Sequence, residues 1–166
     1  MISPELIRRY SFFSCLNHEQ ITAISMNSAE LSVKEGEYFF HEGDKLDHFY
    51  LIIEGSVAVN LEITDREKKQ SVSDQLVGNL ETKEIIICTL GSGDIFGISA
   101  IVPPNFAASS AKSFSASRVI RVDCGPLRED FNTDTQFGYT MALKAAQIFR
   151  ERLRNVYIET IASNIK

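Results

Sequence analysis

A mainly β domain flanked by helices is the fold class this chain predicts, and three observations predict it. Between Ala29 and Val122 short β-prone runs recur at regular spacing, punctuated by glycine, which is the pattern of an all-β sandwich or barrel. Ahead of them stand two helix-start signatures, at Ser3 and Asn17, and behind them apolar residues recur at helical spacing from about Thr135 to Ile161. At 166 residues the chain has the length of one domain with a core of useful size. Residues 1–166 therefore form a single unit, with a helix and β core over 16–123 and C-terminal helices over 124–166.

The N-terminal helices are short. Ser3-Pro4-Glu5 supplies a capping residue, a first-turn proline and an early acid, with Leu6, Ile7 and Tyr10 behind it. Asn17 caps a second helix, followed by Glu19 and Gln20, that carries Ile21 and Ile24 on one face. From Ala29 the period changes. Glu30 to Val33 alternates, Glu35-Gly36-Glu37 turns, Tyr38 to His41 is aromatic and β-prone, and Glu42-Gly43-Asp44 turns again. His48 to Ile53 is a strand that can be buried on both faces, and Ser56 to Leu61 alternates once more. Thr64 to Lys83, with its charged run Asp65-Arg66-Glu67-Lys68-Lys69, is too long for a hairpin loop and reads as a surface excursion rather than a partner-binding arm. Glu84 to Leu90 returns to strand.

Leu90 to Asp123 organises the chain. Turns at Gly91 and Gly93 lead into Ile95-Phe96, Gly97 turns the chain into a short helix over Ile98 to Val102, and Pro103-Pro104 stops it. The small residues Ala107-Ala108-Ser109-Ser110-Ala111 follow, then a strand over Arg118 to Val122. Small side chains beside a tight turn and a helix start make a backbone-lined hollow, open to a small, preferably anionic ligand. After a Gly125-Pro126 turn and a helical piece over Leu127 to Phe131, Thr133 or Asp134 caps the last helix. On it Ala142, Ala146, Phe149, Leu153, Val156 and Thr160 recur with four-three spacing, a coiled-coil seam that suits a homodimer. Met141, Ala145 and Ile148 broaden the apolar face enough for the helix also to lie on its own domain.

Composition narrows the function classes. A net charge of −5 and a pI near 5.2 argue against a surface that holds nucleic acid by counterion release. Cys15, Cys88 and Cys124 are odd in number and widely spaced, which fits a reducing cytoplasm better than a disulfide framework. No apolar run is long enough to span a bilayer, and the N-terminus lacks a signal peptide's apolar core. His18, His41 and His48 have no metal-ligand spacing, and no serine sits in G-x-S-x-G, so neither a metal site nor an enzyme is expected. Arg150, Arg152 and Arg154, with Glu151 among them, read as a solvated helix face.

The series E-G-E-Y-F-F-H-E-G-D-K-L-D-H-F-Y-L-I-I-E-G-S-V-A-V, Glu35 to Val59, resembles the first half of a cyclic nucleotide-binding domain of the Crp/Fnr-like kind. Gly93-Asp94-Ile95-Phe96-Gly97 is similar to that family's lead-in to its phosphate-binding cassette, and Arg118 to Asp123 to its last strand. The resemblance spans roughly Leu16 to Arg154. It implies an eight-stranded β-roll, or double-stranded jelly roll, with flanking helices, a regulatory role in signal transduction, and a C-terminal helix acting as lid and dimer seam. It places ligand contacts at Gly97, Ile98, Ser99, Ala100, Ala107, Ala108, Ser109 and Ser110.

Two departures bear on the ligand. Family members that bind cyclic AMP or cyclic GMP follow the Phe-Gly with a glutamate for the ribose, and here Ile98 stands there; nine residues on, the phosphate-clamping arginine is Ala107. Hydrogen bonds to an ion are worth about 1.5–3 kcal/mol each, so losing both costs roughly two to four decades of affinity. The amides of Ser99 and Ala100 and the hydroxyls of Ser109, Ser110 and Ser113 remain as anchors for a cyclic nucleotide or another small anion. Lys112, two residues from Ser110, is the candidate for a displaced phosphate clamp. The family's transcription factors carry a helix-turn-helix after the long helix; too few residues follow the seam here for one, so the resemblance does not carry a DNA-binding head across. The expectation is a non-catalytic ligand sensor of altered specificity, against the alternative of a dimerisation or interaction domain that has lost nucleotide binding.

Overall fold

The computed structural model of the chain describes residues 2–64 and 82–164. Eight antiparallel strands form two four-stranded sheets: β1 (Ser28–Val33), β2 (Tyr38–Phe40), β3 (His48–Glu54), β4 (Val57–Thr64), β5 (Thr82–Leu90), β6 (Ile95–Phe96), β7 (Ser110–Ser113) and β8 (Ser117–Asp123). One sheet has the order β1-β8-β3-β6 and the other β2-β7-β4-β5. This is the expected β-roll. Helices α1 (Pro4–Arg8) and α2 (His18–Met26) precede the roll, with a 3₁₀ turn over Ser11–Phe13 between them, and α3 (Cys124–Thr133) and α4 (Thr135–Asn164) follow it. The expected excursion lies outside the described residues over 65–81. Its ends are strand, since Thr64 pairs with Thr82 and Ile63 with Lys83.

β3 shows how the core is divided. Successive side chains of a strand point to opposite faces, so Phe49 and Leu51 enter one apolar cluster while Tyr50 and Ile52 enter the other. The first cluster lies between the β1-β8-β3-β6 sheet and the helices, taking in Ile7, Phe13, Ile21, Ile24, Ile120, Val122, Leu127, Phe137 and Met141. The second fills the space between the sheets with Val57, Phe96, Ala111 and Val119, and Tyr50 stacks on Phe96 at 4.9 Å. Each such buried side chain contributes about 1.5–3 kcal/mol. The helices are therefore part of the fold's core and not appendages.

Helix ends follow the capping signals with two exceptions. Asn17 and Gln20 form a reciprocal capping box, with side-chain to backbone distances of 3.1 and 2.9 Å. Asp134 caps α4 by accepting from the Phe137 amide at 3.0 Å, while its other oxygen accepts from Gln20 Nε2 at 2.8 Å and so ties α2 to α4. Ser3, however, makes no side-chain cap; its carbonyl closes the first turn instead. Gly125-Pro126 is not a turn but the first turn of α3, which Asp123 caps through the Gly125 amide at 2.9 Å. Proline is accommodated there because first-turn amides have no partner within the helix. Among the described residues no helix is long and apolar enough to cross a membrane.

Candidate functional site

The hollow forms where β6 ends. Phe96 pairs with Tyr50, and Gly97 turns the chain at φ +71°. A Cβ at Gly97 would lie 3.1 Å from the His48 carbonyl and 3.3 Å from the rings of Phe40 and Tyr50. Positive φ and this close approach together demand glycine. The expected helix over Ile98 to Val102 shrinks to one 3₁₀ turn, Ile98–Ala100, closed by the Ala100 amide on the Gly97 carbonyl at 3.0 Å. The Ala100 amide, expected to be open to a ligand, is consumed inside that turn.

Two residues outside the motif hold the turn. Asn105, at φ 66°, donates from Nδ2 to the carbonyls of Ser99 and Ala100 at 3.1 and 3.0 Å. Arg128, on α3, donates to the Ala100 carbonyl from Nε at 3.1 Å and from an Nη at 2.9 Å, to the Leu46 carbonyl at 2.9 Å and to Asp47 at 3.2 Å. A planar guanidinium with several donors suits such a fork. Neither residue is marked by the sequence pattern, because both act on backbone carbonyls that only the folded chain brings together.

Two cavities that share part of their walls lie here, and the smaller adjoins the turn. The smaller, of about 50 Å³, is lined by Gly97, Ile98, Ser99, Ala107 and Ala111 among others. The larger, of about 710 Å³, opens between β5, α4 and the first 3₁₀ turn. Val59, Ala108, Ser109, Phe149 and Arg152 line both. Ile98 and Ala107, the residues standing at the two polar anchor positions, are 1% and 5% exposed and belong to the apolar core.

Of the remaining predicted contacts, strand parity removes two. Ser109 and Ala111 line the small cavity, so Ser110 and Lys112 do share a face, but it is the face turned away from the hollow. The Ser110 hydroxyl accepts from the Glu42 amide at 2.9 Å. The Lys112 ammonium lies 4.7 Å above the Tyr38 ring and 3.6 Å from Glu84, whose carboxyl is held below its usual range by the Tyr38 hydroxyl and by Lys112. Lys112 is thus a partner of Glu84 and Tyr38 rather than a displaced phosphate clamp. Ser113 is also occupied, donating to the Ser115 carbonyl at 2.6 Å with its oxygen 3.1 Å from the Ser117 hydroxyl. Ala100 is fully buried and lines neither cavity.

The basic group that does reach the hollow belongs to the arginine run that the sequence pattern places on a solvated helix face. Arg150 and Arg154 are exposed, but Arg152 is half-buried, lines both cavities and donates to the Ile95 carbonyl. Helical geometry explains the difference. Two residues rotate a helix by about 200°, so alternate arginines cannot share a face. Arg152 instead continues the inward stripe of Phe137, Met141, Ala145 and Ile148, the signal from which it could have been found. Burial lowers its pKa from the usual guanidinium value, with Cys88 and Asp94 acting in opposition.

On the same helix Ala142, Ala146, Phe149 and Leu153 are exposed and Val156 is partly covered. Phe149 and Val156 also line the larger cavity, so the predicted seam and the hollow share side chains. Tyr139, Leu143, Tyr157, Ile158 and Ile161 extend the exposed apolar surface of α4.

Comparison with known proteins places this architecture. The family model described as "Cyclic nucleotide-binding domain" matches residues 30–134, more than half of the chain. A CRP-like cAMP-activated global transcriptional regulator of Mycobacterium tuberculosis is 24% identical over 124 residues, covering 75% of this chain and 48% of that protein. The chain spans about half the length of the curated relatives it matches. A putative cyclic nucleotide-binding protein from Geobacter metallireducens superimposes with a TM-score of 0.73 at 29% identity, covering 92% of this chain and 99% of that one. The sensor domain of the transcriptional regulator DNR from Pseudomonas aeruginosa shares the fold, with a TM-score of 0.63, 15% identity and 90% of each chain covered.

Proposed function

Because the chain belongs to the cyclic nucleotide-binding domain family, we propose that it is a non-catalytic regulatory module that senses a small molecule other than unmodified cyclic AMP or cyclic GMP and pairs with a second copy through α4. The reading rests on the phosphate corner. Where the family pattern has a glutamate and an arginine, this chain has Ile98 and Ala107, both incorporated in the apolar core, and the space beside them is about 50 Å³. Ligand sites run to ~300–1,000 Å³, so the small cavity is too tight for a nucleotide, and neither Ile98 nor Ala107 offers the phosphate a charge. The adjoining cavity of about 710 Å³ is within that range and is walled by the helix that carries the exposed apolar face.

A thermal-shift titration with cyclic AMP and cyclic GMP tests this. Without the two anchors, 1 mM of either is expected to raise the melting temperature by less than ~2 °C. A dissociation constant near 10 μM would instead stabilise by about 2.7 kcal/mol at that concentration, a rise of ~5–10 °C, and would sink the altered-specificity reading. The exposed surface of α4 also favours the second reading, an interaction domain whose roll admits no ligand. The two part company at the larger cavity, which is open to a ligand under the first and idle under the second.

A further inference from the structure

Among the described residues Arg152 is the one cation that lines both cavities, and its surroundings are unusual for an arginine. Among the described residues its guanidinium has a single hydrogen-bond partner, the Ile95 carbonyl, and no carboxylate lies within 4.0 Å of it. A guanidinium carries five N–H donors, and buried charge is ordinarily paired. The nearby acid, Asp94, accepts from the Gly91 amide at 2.8 Å through one oxygen and favours the Arg152 charge only from beyond ion-pair distance. Around Arg152 the cavity wall joins an apolar side, with Phe12, Val59, Leu90, Ile148 and Phe149, to a polar one, with Ser109, Gln147, Lys144, Glu151 and Asp94.

A half-buried cation with uncommitted donors, facing a cavity that has an apolar side, can receive an oxyanion on an apolar body. We propose that Arg152 is the anion anchor of this hollow, and that the ligand is a small organic oxyanion, a carboxylate or phosphate, whose apolar part lies against Phe149, Val59 and Leu90. The proposal deepens the sensor reading and rests on it. The charge that the roll lacks at Ala107 is supplied from α4, so ligand capture acts directly on the helix that carries the exposed face. Arg152 gives up its contact with the Ile95 carbonyl, or shares it, when the anion arrives.

The test uses the full chain and three probes of one shape: 2-naphthoate, 2-naphthyl phosphate and neutral 2-naphthylmethanol, each titrated calorimetrically to 5 mM. An anionic probe is expected to bind at least ~10-fold more tightly than the alcohol, since hydrogen bonds between charged groups carry that much. The carboxylate and phosphate arms identify which oxyanion is preferred. Arg152→Gln should abolish the preference for charge, and Arg152→Lys should keep part of it. Equal binding of all three probes would overturn the role of Arg152 while leaving the hollow as a small-molecule site. Absence of saturable binding by either anion would overturn it too. Arg152→Met separates an anchor from a structural strut without any ligand: an anchor held unpaired should leave the melting temperature unchanged or higher, whereas a fall of more than ~5 °C would assign Arg152 to structure and overturn the proposal.

Discussion

Arg128 offers the sharpest test of how the site is held, because its partners can be ranked by physical argument. Its guanidinium makes three bonds to backbone carbonyls, two to Ala100 and one to Leu46, and one to the Asp47 carboxylate at 3.2 Å. The Asp47 side chain is 56% exposed, and that of Arg128 30%. An exposed ion pair is worth about 0–1 kcal/mol, whereas a hydrogen bond from a charged donor is worth about 1.5–3 kcal/mol. The carbonyl bonds are not additive, since one rigid fork makes them together and Asn105 would still serve Ala100 at 3.0 Å. Arg128→Ala should therefore cost about 2–4 kcal/mol, and Asp47→Ala less than about 1 kcal/mol. Arg128→Lys should recover under half of the loss, because a point charge cannot reproduce the fork. Urea unfolding followed by far- and near-ultraviolet dichroism measures all three, with an accompanying drop in melting temperature of ~5–15 °C for Arg128→Ala. A loss below ~0.5 kcal/mol for Arg128→Ala, or equal losses at Arg128 and Asp47, would refute the ranking.

Two other predictions follow from exposure and burial. Leu153, 52% exposed on α4, should convert the proposed dimer to monomers on sedimentation when changed to arginine while the melting temperature of the roll stays within ~3 °C, as expected for an exposed site; a dimer that survives this change would move the interface elsewhere. Burial pushes the Cys124 thiol up to about 12 from an ordinary 9.0. At pH 8 a disulfide reagent should thus modify exposed Cys15 at once and Cys124 only after unfolding. The same shift makes the thiol's contribution to stability complete below pH 9 and progressively lost as pH rises toward 12, because the unfolded chain releases the proton first. Rapid native labelling of Cys124 would contradict its place in the core.

The roll was legible because strands announce themselves by period and glycine. The unbroken apolar run within His48 to Ile53, read as a strand that can be buried on both faces, and the glycines flanking it carry the same information in one dimension that β3 carries in three, with Phe49 and Leu51 on one side and Tyr50 and Ile52 on the other. The site was only half legible. Gly97, Ile98, Ser99, Ala107, Ala108 and Ser109 follow from motif position, and they do line the hollow. Ser110 and Lys112 were misplaced because parity says which residues share a face but not which face turns inward. Arg152 was missed for a related reason: charge suggested solvent, while its register with Ile148, Ala145 and Met141 pointed to the inside. Arg128 left no local signal, since its acceptors, the carbonyls of Leu46 and Ala100, come from segments remote in sequence, and Asn105 reaches back five and six residues to Ala100 and Ser99 only through the turn that follows the 3₁₀ helix.

If Arg152 anchors the ligand, the size of the signal a single charge can send becomes the governing quantity. A ligand moves a two-state equilibrium only by the ratio of its affinities for the two states. One charged contact made in one helix position and absent in the other supplies roughly one to two decades, whereas turning a 1:99 population into 99:1 takes about 10⁴-fold. A lone protomer would therefore respond weakly. Two protomers whose α4 helices move together multiply their ratios, reaching roughly two to four decades, which approaches a full switch only when both sites are filled. Phe149 and Val156, which line the larger cavity and belong to the predicted seam, would be the physical route for that coupling. The consequence can be measured: ligand response in the wild-type protein should be steep, with a Hill coefficient above 1, and Leu153→Arg should reduce it to 1 without abolishing binding at Arg152. A response already non-cooperative in the intact dimer would mean that the helix senses the anion without passing the information on.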